Sequence, residues 1–248
     1  AFPEWVVYWA KRGYAAISMD VRGFGEGRQP LENGFKEPVS GTPYFAAGDT
    51  VSEHWLYQAV GDVILAHSLI RSFSEIDSSR TALTGISWGG VITCIVAGLD
   101  SRFKAFIPVY GCGYLYEHSA MTKPIRELPP AQYERWVNWY DPSNYIGKVN
   151  CPVLFINGTN DFHFYPDIYR KTYSQVNDYT LCVKPRMKHG HKPGWENNEI
   201  YTFVNHIING TPSLPVIGNI QKTQHKIEAD VNSDLPIIDA TLNYTTDT

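Results

Sequence analysis

Three kinds of side chain in this sequence carry the spacing that nucleophilic catalysis requires. Ser87 lies in the segment Gly85-Ile86-Ser87-Trp88-Gly89, between a short apolar run and a longer one. A Gly-x-Ser-x-Gly pattern between a strand and a helix is typical of a sharp turn that exposes a nucleophilic serine. The N–H groups at the start of the following helix favour negative charge. We predict Ser87 as a nucleophile and the Trp88 N–H as an oxyanion donor; the alternative is a serine that merely fits the turn.

A serine nucleophile needs a base, and the base needs an acid that orients it. In this motif the chain order is Ser, then acid, then His. Asp161 follows the apolar strand at 151–158, at the sheet edge where sites are built, and is the predicted acid. Glu117 is the competing acid. We predict His191 as the base, because one helix and one strand separate it from Asp161, and His189 is the alternative.

A metal site is a competing interpretation of the same segment. Asp161, His163, His189 and His191 are residue types that bind zinc. Their spacings match no known metal signature, and a metal would leave the Ser87 turn without a role, so we predict neither metal nor cofactor. His163 is expected to line the cleft or to lie in a loop. The default for the remaining histidines is a surface or core role: His54, His67, His118, His206 and His225.

These residues need a scaffold, and the sequence predicts alternating strands and helices. The predicted helices cover about 3–12, 53–73, 88–98, 165–175 and 196–209. The predicted strands cover about 14–19, 81–85, 105–111, 151–158 and 179–184. Such alternation predicts an α/β fold with a mostly parallel sheet that helices cover on both faces.

Composition limits the classes of function. The chain has 248 residues, of which 43% are apolar and 19% charged, and its net charge is −4. This balance is typical of a globular protein, and no basic stripe indicates a nucleic-acid partner. No run approaches the ~20 apolar residues of a membrane span. The four cysteines lie in or beside apolar runs and are predicted to be free thiols rather than disulfides or zinc ligands.

Four segments together resemble a known family. They are GISWGG, NGTNDFHFYP, MKHGHKPGWENNEIYTFVNHII and VAGLDSRFKAFIPVYGCG. The chain resembles α/β-hydrolases of the acetylxylan esterase and dienelactone-hydrolase-like group over about residues 1–210. The resemblance implies an α/β-hydrolase fold and a serine carboxylesterase that deacetylates xylan, xylo-oligosaccharides or small acetyl esters. It also supports Ser87, Asp161 and His191 as a catalytic triad and favours a secreted or periplasmic location.

Two other functions remain open at this point. One is a non-catalytic binding protein with a hydrolase fold, and the other is a serine peptidase of the prolyl-oligopeptidase kind, which shares the fold and the serine turn. We predict a catalytic domain over 1–210, followed by a linker and a β-rich extension over 211–248. The loop at 21–52 and the insert at 112–146 are expected to shape the acyl and sugar pockets. Aromatic side chains of the insert support this: Tyr114, Tyr116, Trp136, Trp139 and Tyr140.

The resemblance also implies a strand that this chain does not contain. In that group, a strand and an HGG-like turn precede the helix that begins here at residue 3, and the turn gives the second oxyanion donor. The strand lies between the strands predicted at 14–19 and 81–85. We therefore expect a natural protein that is longer at both ends. The alternatives are a neighbouring chain, through a homo-oligomer or strand exchange, and tail residues 236–243 folded into the gap.

Overall fold

A four-stranded parallel sheet forms the centre of the molecule. The computed structural model describes residues 3–21, 23, 25, 29, 31–32, 43–45 and 47–244, so that much of the predicted loop at 21–52 lies outside the described residues. The strands lie in the order β1–β2–β3–β4, with every neighbouring pair parallel. Their bounds are β1 Ala82–Ile86, β2 Ala105–Val109, β3 Val153–Asn160 and β4 Tyr179–Lys188. The parallel α/β architecture predicted from the alternating pattern is confirmed.

Eight α-helices accompany the sheet in the described part of the chain. The five helices predicted from hydrophobic periodicity are present. The insert at 112–146, whose sequence shows no periodicity, adds two more helices, α4 and α5. The bounds are α1 Pro3–Ala10, α2 Trp55–Ile70, α3 Trp88–Ala97, α4 Thr122–Arg126, α5 Pro130–Tyr140, α6 Pro166–Tyr173, α7 His191–Trp195 and α8 Asn198–Asn209.

The core is deepest around β2, β3 and α3. Every residue of β2 and the first six residues of β3 are buried. Their continuous apolar sequences are typical of strands that are covered on both faces. In α3, all residues from Gly90 to Ala97 are buried. The helix that follows Ser87 is therefore held on all sides, which fixes the position of its N-terminus.

One predicted strand is wrong, and one of the alternatives for filling the gap in the sheet is not observed. Residues 14–19 do not form the predicted strand, because they make no ladder with any described residue, and β1 is the edge of the sheet. Residues 236–243 do not fold beside β1; they carry no strand and are exposed. Every residue of β1 is half-buried.

The C-terminal part of the described chain forms a separate hairpin. Strands β5 (Val216–Lys222) and β6 (Ile227–Asn232) pair antiparallel, and all of their residues are exposed. This confirms the predicted β-rich extension, whereas the domain boundary at 210/211 stays a prediction. All four cysteines are free thiols. Among the described residues, no helix is both long and apolar enough to cross a membrane.

Candidate active site

The backbone at Ser87 is strained, and the turn is tight enough to require glycine beside it. Ser87 has φ 59° and ψ −116°, a conformation that non-glycine residues rarely adopt. A Cβ at Gly85 would lie 2.2 Å from the carbonyl oxygen of Gly89, so the turn requires glycine at position 85. The Ser87 N–H donates to the Val109 carbonyl at 2.9 Å, which ties the turn to the end of β2. The backbone thus presents the Ser87 side chain at the carboxyl end of the sheet.

The Asp161 carboxylate is fixed by the loop that follows β3. One oxygen, Oδ1, accepts the backbone N–H groups of His163 at 2.7 Å and Phe164 at 3.0 Å. The side chain is only 1% exposed. Because these two donors occupy Oδ1, the second oxygen is left facing the neighbouring loop after β4.

His189 lies between Asp161 and Ser87. Its Nδ1 is 2.9 Å from Asp161 Oδ2, and its Nε2 is 2.9 Å from Ser87 Oγ. With the carboxylate accepting the Nδ1 proton, Nε2 is the acceptor that faces the serine hydroxyl. The ring is 12% exposed, so it is shielded but still reachable.

The sequence-based assignment of His191 to this place is corrected by the structure. Strand β4 runs to Lys188, four residues beyond its predicted end at 184, so His189 is the residue that directly follows the strand. His191 is instead the first residue of α7. Burial, and then the nearby His189, lower the pKa of His191. The rule that located Asp161, a side chain just beyond a strand's carboxyl end, would have located His189 if the strand end had been predicted correctly.

Tyr110 supports His189, a role that no sequence pattern indicated. Its ring centroid is 4.6 Å from that of His189, and its hydroxyl donates to the Lys188 carbonyl at 3.0 Å. Burial, and then the charge of Asp161, raise the pKa of Tyr110 to about 12. The neutral phenol therefore holds the backbone at Lys188, directly before His189.

Trp88 occupies the position expected of an oxyanion donor. It is the first residue of α3, where a backbone N–H has no acceptor within its own helix. Its indole stacks on Tyr44 with 5.4 Å between ring centroids and meets Trp55 edge-on at 5.4 Å. This aromatic packing holds the first turn of α3 in place.

The other candidates of the sequence are placed as follows. Glu117, the competing acid, forms an ion pair with Lys171 rather than with a histidine of the site. Trp136 is fully buried and Tyr140 is 6% exposed, so they belong to the core and do not line a sugar pocket. Trp139 keeps 43% of its surface exposed.

His163 joins Asp161 and His189. One potential ligand atom from each of the three lies within 4.8 Å of the others, whereas His191 is not part of this group. Burial, and then the neighbouring His189, lower the pKa of His163, so its ring is neutral at pH 7. The site thus contains a hydroxyl, an imidazole and a carboxylate in contact, with a second imidazole beside them.

Two known proteins are similar to part of this chain. Acetyl esterase Axe7A of Xylanibacter ruminicola is 23% identical over 167 residues, which cover 62% of this chain and 38% of that protein. The uncharacterized peptidase YuxL of Bacillus subtilis (strain 168) is 26% identical over 164 residues, or 61% of this chain and 22% of that protein. The chain therefore spans well under half the length of either relative.

A solved structure shares the fold. The acetyl xylan esterase from Paenibacillus sp. R4 superposes with a TM-score of 0.69 and 23% identity, covering 84% of this chain and 70% of that one. This likeness confirms the α/β-hydrolase fold. The acetyl xylan esterase (AXE1) family profile matches residues 2–207. The chain belongs to the acetyl xylan esterase family.

Proposed function

We propose that this protein is a serine carboxylic-ester hydrolase that removes acetyl groups from xylan, xylo-oligosaccharides or small acetyl esters. The observation that carries the proposal is the continuous contact from Ser87 through His189 to Asp161, built on a strained turn at the carboxyl end of the sheet. Membership in the acetyl xylan esterase family supports the acetylated carbohydrate as substrate class.

The reaction begins with acyl transfer to the enzyme. His189 Nε2 takes the proton of Ser87 Oγ as the oxygen attacks the ester carbonyl. The Nδ1–H bond to Asp161 holds the ring in the tautomer that leaves Nε2 free to accept and stabilises the imidazolium that forms. The Trp88 N–H donates to the developing oxyanion. His189 then gives its proton to the departing sugar alkoxide, which leaves an acetyl group on Ser87.

Water completes the cycle. His189 again acts as base, and takes a proton from the water that attacks the acetyl carbonyl. Collapse of the second tetrahedral intermediate releases acetate and returns the proton to Ser87 Oγ. Neither half of the cycle requires a metal or a cofactor. Substitutions of Ser87, His189 and Asp161 therefore test their roles without the need to load the protein with another group.

The proposal is tested with p-nitrophenyl acetate and acetylated xylo-oligosaccharides. We expect acetate release by the wild-type protein, no measurable release by Ser87→Ala, and unchanged release after treatment with EDTA. Equal rates for the wild type and Ser87→Ala would favour the non-catalytic hydrolase-fold protein. Loss of activity with EDTA would favour a catalytic metal at the Asp161 cluster.

A peptidase activity is the second candidate, and the likeness to the Bacillus subtilis peptidase supports it. Both reactions would use the same triad, so triad substitutions do not separate the two activities. A peptide with an internal proline and an acetylated N-terminus does, because only a peptidase would cleave it efficiently. Cleavage of the peptide with a higher kcat/KM than that for the acetyl ester would favour the peptidase.

We also propose that a strand from outside the described residues covers β1, through a homo-oligomer or strand exchange. The support is that β1, among the described residues, has a neighbouring strand on one side only, whereas strands of a parallel sheet are ordinarily covered. Light scattering after size exclusion is the test: a dimer or larger species supports the exchange, whereas a monomer contradicts it.

A further inference from the structure

His163 is the one part of the site cluster to which the ester hydrolysis described above assigns no task. Its ring lies beside that of His189, with 4.3 Å between the centroids and an angle of 37°. Its Nδ1 is buried and has no hydrogen-bond partner. A buried imidazole nitrogen without a partner costs free energy unless some group binds it.

The loop that carries His163 is held rigidly. The His163 N–H donates to Asp161 Oδ1 at 2.7 Å, and its carbonyl accepts the Ala120 N–H at 3.1 Å. The next residue, Phe164, is fully buried, and its carbonyl accepts Asn157 Nδ2 at 3.1 Å. The ring of His163 is therefore presented to the triad from a backbone with little freedom to move away.

The charge at this position also suits a cation. Among the residues that the structure describes, Asp161 forms an ion pair with His189 alone, and no arginine or lysine neutralises it. One of its carboxylate oxygens, together with one nitrogen from each of the two histidines, provides a set of ligand atoms that all lie within 4.8 Å of one another. One carboxylate and two imidazoles are the ligand types that zinc binds, with a fourth position left for water.

We propose that Asp161, His163 and His189 form a binding site for a divalent transition metal of the zinc type, and that occupancy of this site switches the esterase off. The site is inhibitory rather than catalytic, because it uses the base of the triad as a ligand.

The inhibition follows from the chemistry of imidazole. A neutral imidazole has one protonated nitrogen and one nitrogen with a free lone pair. A metal ion on His189 uses that lone pair, whichever of the two nitrogens it is, and the proton remains on the other. No acceptor is then left for the Ser87 proton, so the serine is not activated. Removing the metal restores the lone pair, so the inhibition is reversible.

Metal binding is tested by isothermal titration calorimetry with zinc chloride on the protein after EDTA treatment and buffer exchange. We expect the wild type and Ser87→Ala to bind one equivalent of zinc, because all three ligands remain in both. His163→Phe and His163→Asn should bind zinc at least about tenfold more weakly, since losing a ligand costs no less than losing its supporting contacts.

His118→Asn is the matched control. His118 also pairs with a carboxylate, at 2.8 Å from Asp167, and stacks on Tyr165, but no third ligand joins that pair in the described part of the chain. We expect zinc affinity equal to that of the wild type. The proposal would be overturned if His118→Asn abolished zinc binding, or if both His163 variants bound zinc as tightly as the wild type. The absence of zinc binding to the wild type would also overturn it.

The functional consequence rests on the proposed function, and it is measured separately. At a zinc concentration ten times the Kd, acetyl ester hydrolysis by the wild type should fall about tenfold and should recover on addition of EDTA. The same zinc concentration should lower the rate of each His163 variant, relative to its own zinc-free rate, by no more than about twofold. If the protein does not hydrolyse acetyl esters, calorimetry still decides the metal site. If it hydrolyses them and zinc binds without inhibition, the switch is refuted while the esterase stands.

Discussion

The molecule contains two carboxylate–histidine–hydroxyl arrangements, one at each end of β1. At the carboxyl end, Asp161 and His189 meet Ser87, the residue that follows the strand. At the amino end, Asp100 Oδ2 lies 2.8 Å from His67 Nδ1, and His67 Nε2 lies 2.9 Å from Oγ1 of Thr81, the residue before the strand. By connectivity and distance alone, the two are nearly the same.

Their surroundings differ in every respect that matters for catalysis. His67 is 2% exposed and its ring stacks on Phe103 at 3.5 Å, so no substrate reaches it. Asp100 is neutralised by Arg102, which binds both of its oxygens. The other arrangement has a partly exposed imidazole, a carboxylate that no described arginine or lysine neutralises, and a serine on a strained turn before a helix. The comparison teaches that the surroundings, rather than the three residue types, separate a proposed catalytic site from a structural one.

The largest contrast should come from the two hydroxyls. Ser87→Ala should lower kcat on p-nitrophenyl acetate by about 10⁴-fold or more, because the nucleophile is lost. Thr81→Val removes the matching hydroxyl at the other end of β1 and should change kcat by less than about threefold, with a lower Tm as its main effect. A large loss of kcat in Thr81→Val would break the comparison.

The two histidines of the loop after β4 provide the next contrast. His189→Ala should lower kcat by about 10⁴-fold, because neither a base nor an acid for the leaving group remains. His191→Ala should reduce it by less than about tenfold, since that side chain does not lie between the acid and the serine. Steady-state kinetics on the same acetyl ester measures both. A larger loss of kcat in His191→Ala than in His189→Ala would restore His191 as the base.

Substitution of the two aspartates should separate activity from stability. Asp161→Asn should lower kcat by about 10³- to 10⁴-fold while leaving KM nearly unchanged, because the histidine loses its orienting charge. Asp100→Asn should leave kcat nearly unchanged and lower the free energy of unfolding by about 2 kcal/mol. Kinetics and urea unfolding of both variants check this pattern. Similar stability losses with full activity in both would show that neither aspartate is catalytic.

The structural pair should also give the protein an acid-sensitive stability. Burial alone would raise the pKa of Asp100, but hydrogen bonds from Arg102 and His67 lower it well below its usual value. The unfolded chain therefore binds a proton near pH ~4 that the folded chain does not, and stability falls as pH decreases through this range. Urea unfolding should show a steeper loss from pH 5 to pH 3 in the wild type than in Asp100→Asn. Parallel curves would contradict this role.

The smallest effect should come from Tyr110. Tyr110→Phe keeps the ring beside His189 but removes the hydroxyl that holds the backbone at Lys188. We expect kcat to fall about tenfold with KM unchanged, because a slight misplacement of the base weakens proton transfer. Tyr133→Phe, which alters a half-buried phenol packed against the core elsewhere, is the control. An equal loss in both variants would point to a general packing effect.

The sequence predicted much of the scaffold, because apolar runs and glycines report directly on buried strands and tight turns. The turn at Ser87 and the position of Asp161 followed from the apolar strand that precedes each of them. His189 was given only as an alternative, because Pro185 and the charged Arg186 and Lys188 interrupt the apolar pattern of a buried strand at the end of β4.

Long-range contacts were beyond reach. Nothing in the local pattern indicates that Tyr110 reaches Lys188, since the contact joins residues far apart in the chain. The prediction of a strand at 14–19 failed for a related reason. Their sequence is suited to a strand, but a strand requires a neighbouring ladder, and none of the described residues provides one.

Labelling with a fluorophosphonate, followed by mass spectrometry of the peptide that contains Ser87, tests the central claim most directly. The reagent forms a stable adduct only with a serine that a neighbouring base activates. We predict a single adduct on Ser87 in the wild type and in His191→Ala, and none in His189→Ala. An adduct on Ser87 that persists in His189→Ala but disappears in His191→Ala, or an unmodified Ser87 in the wild type, would contradict the account.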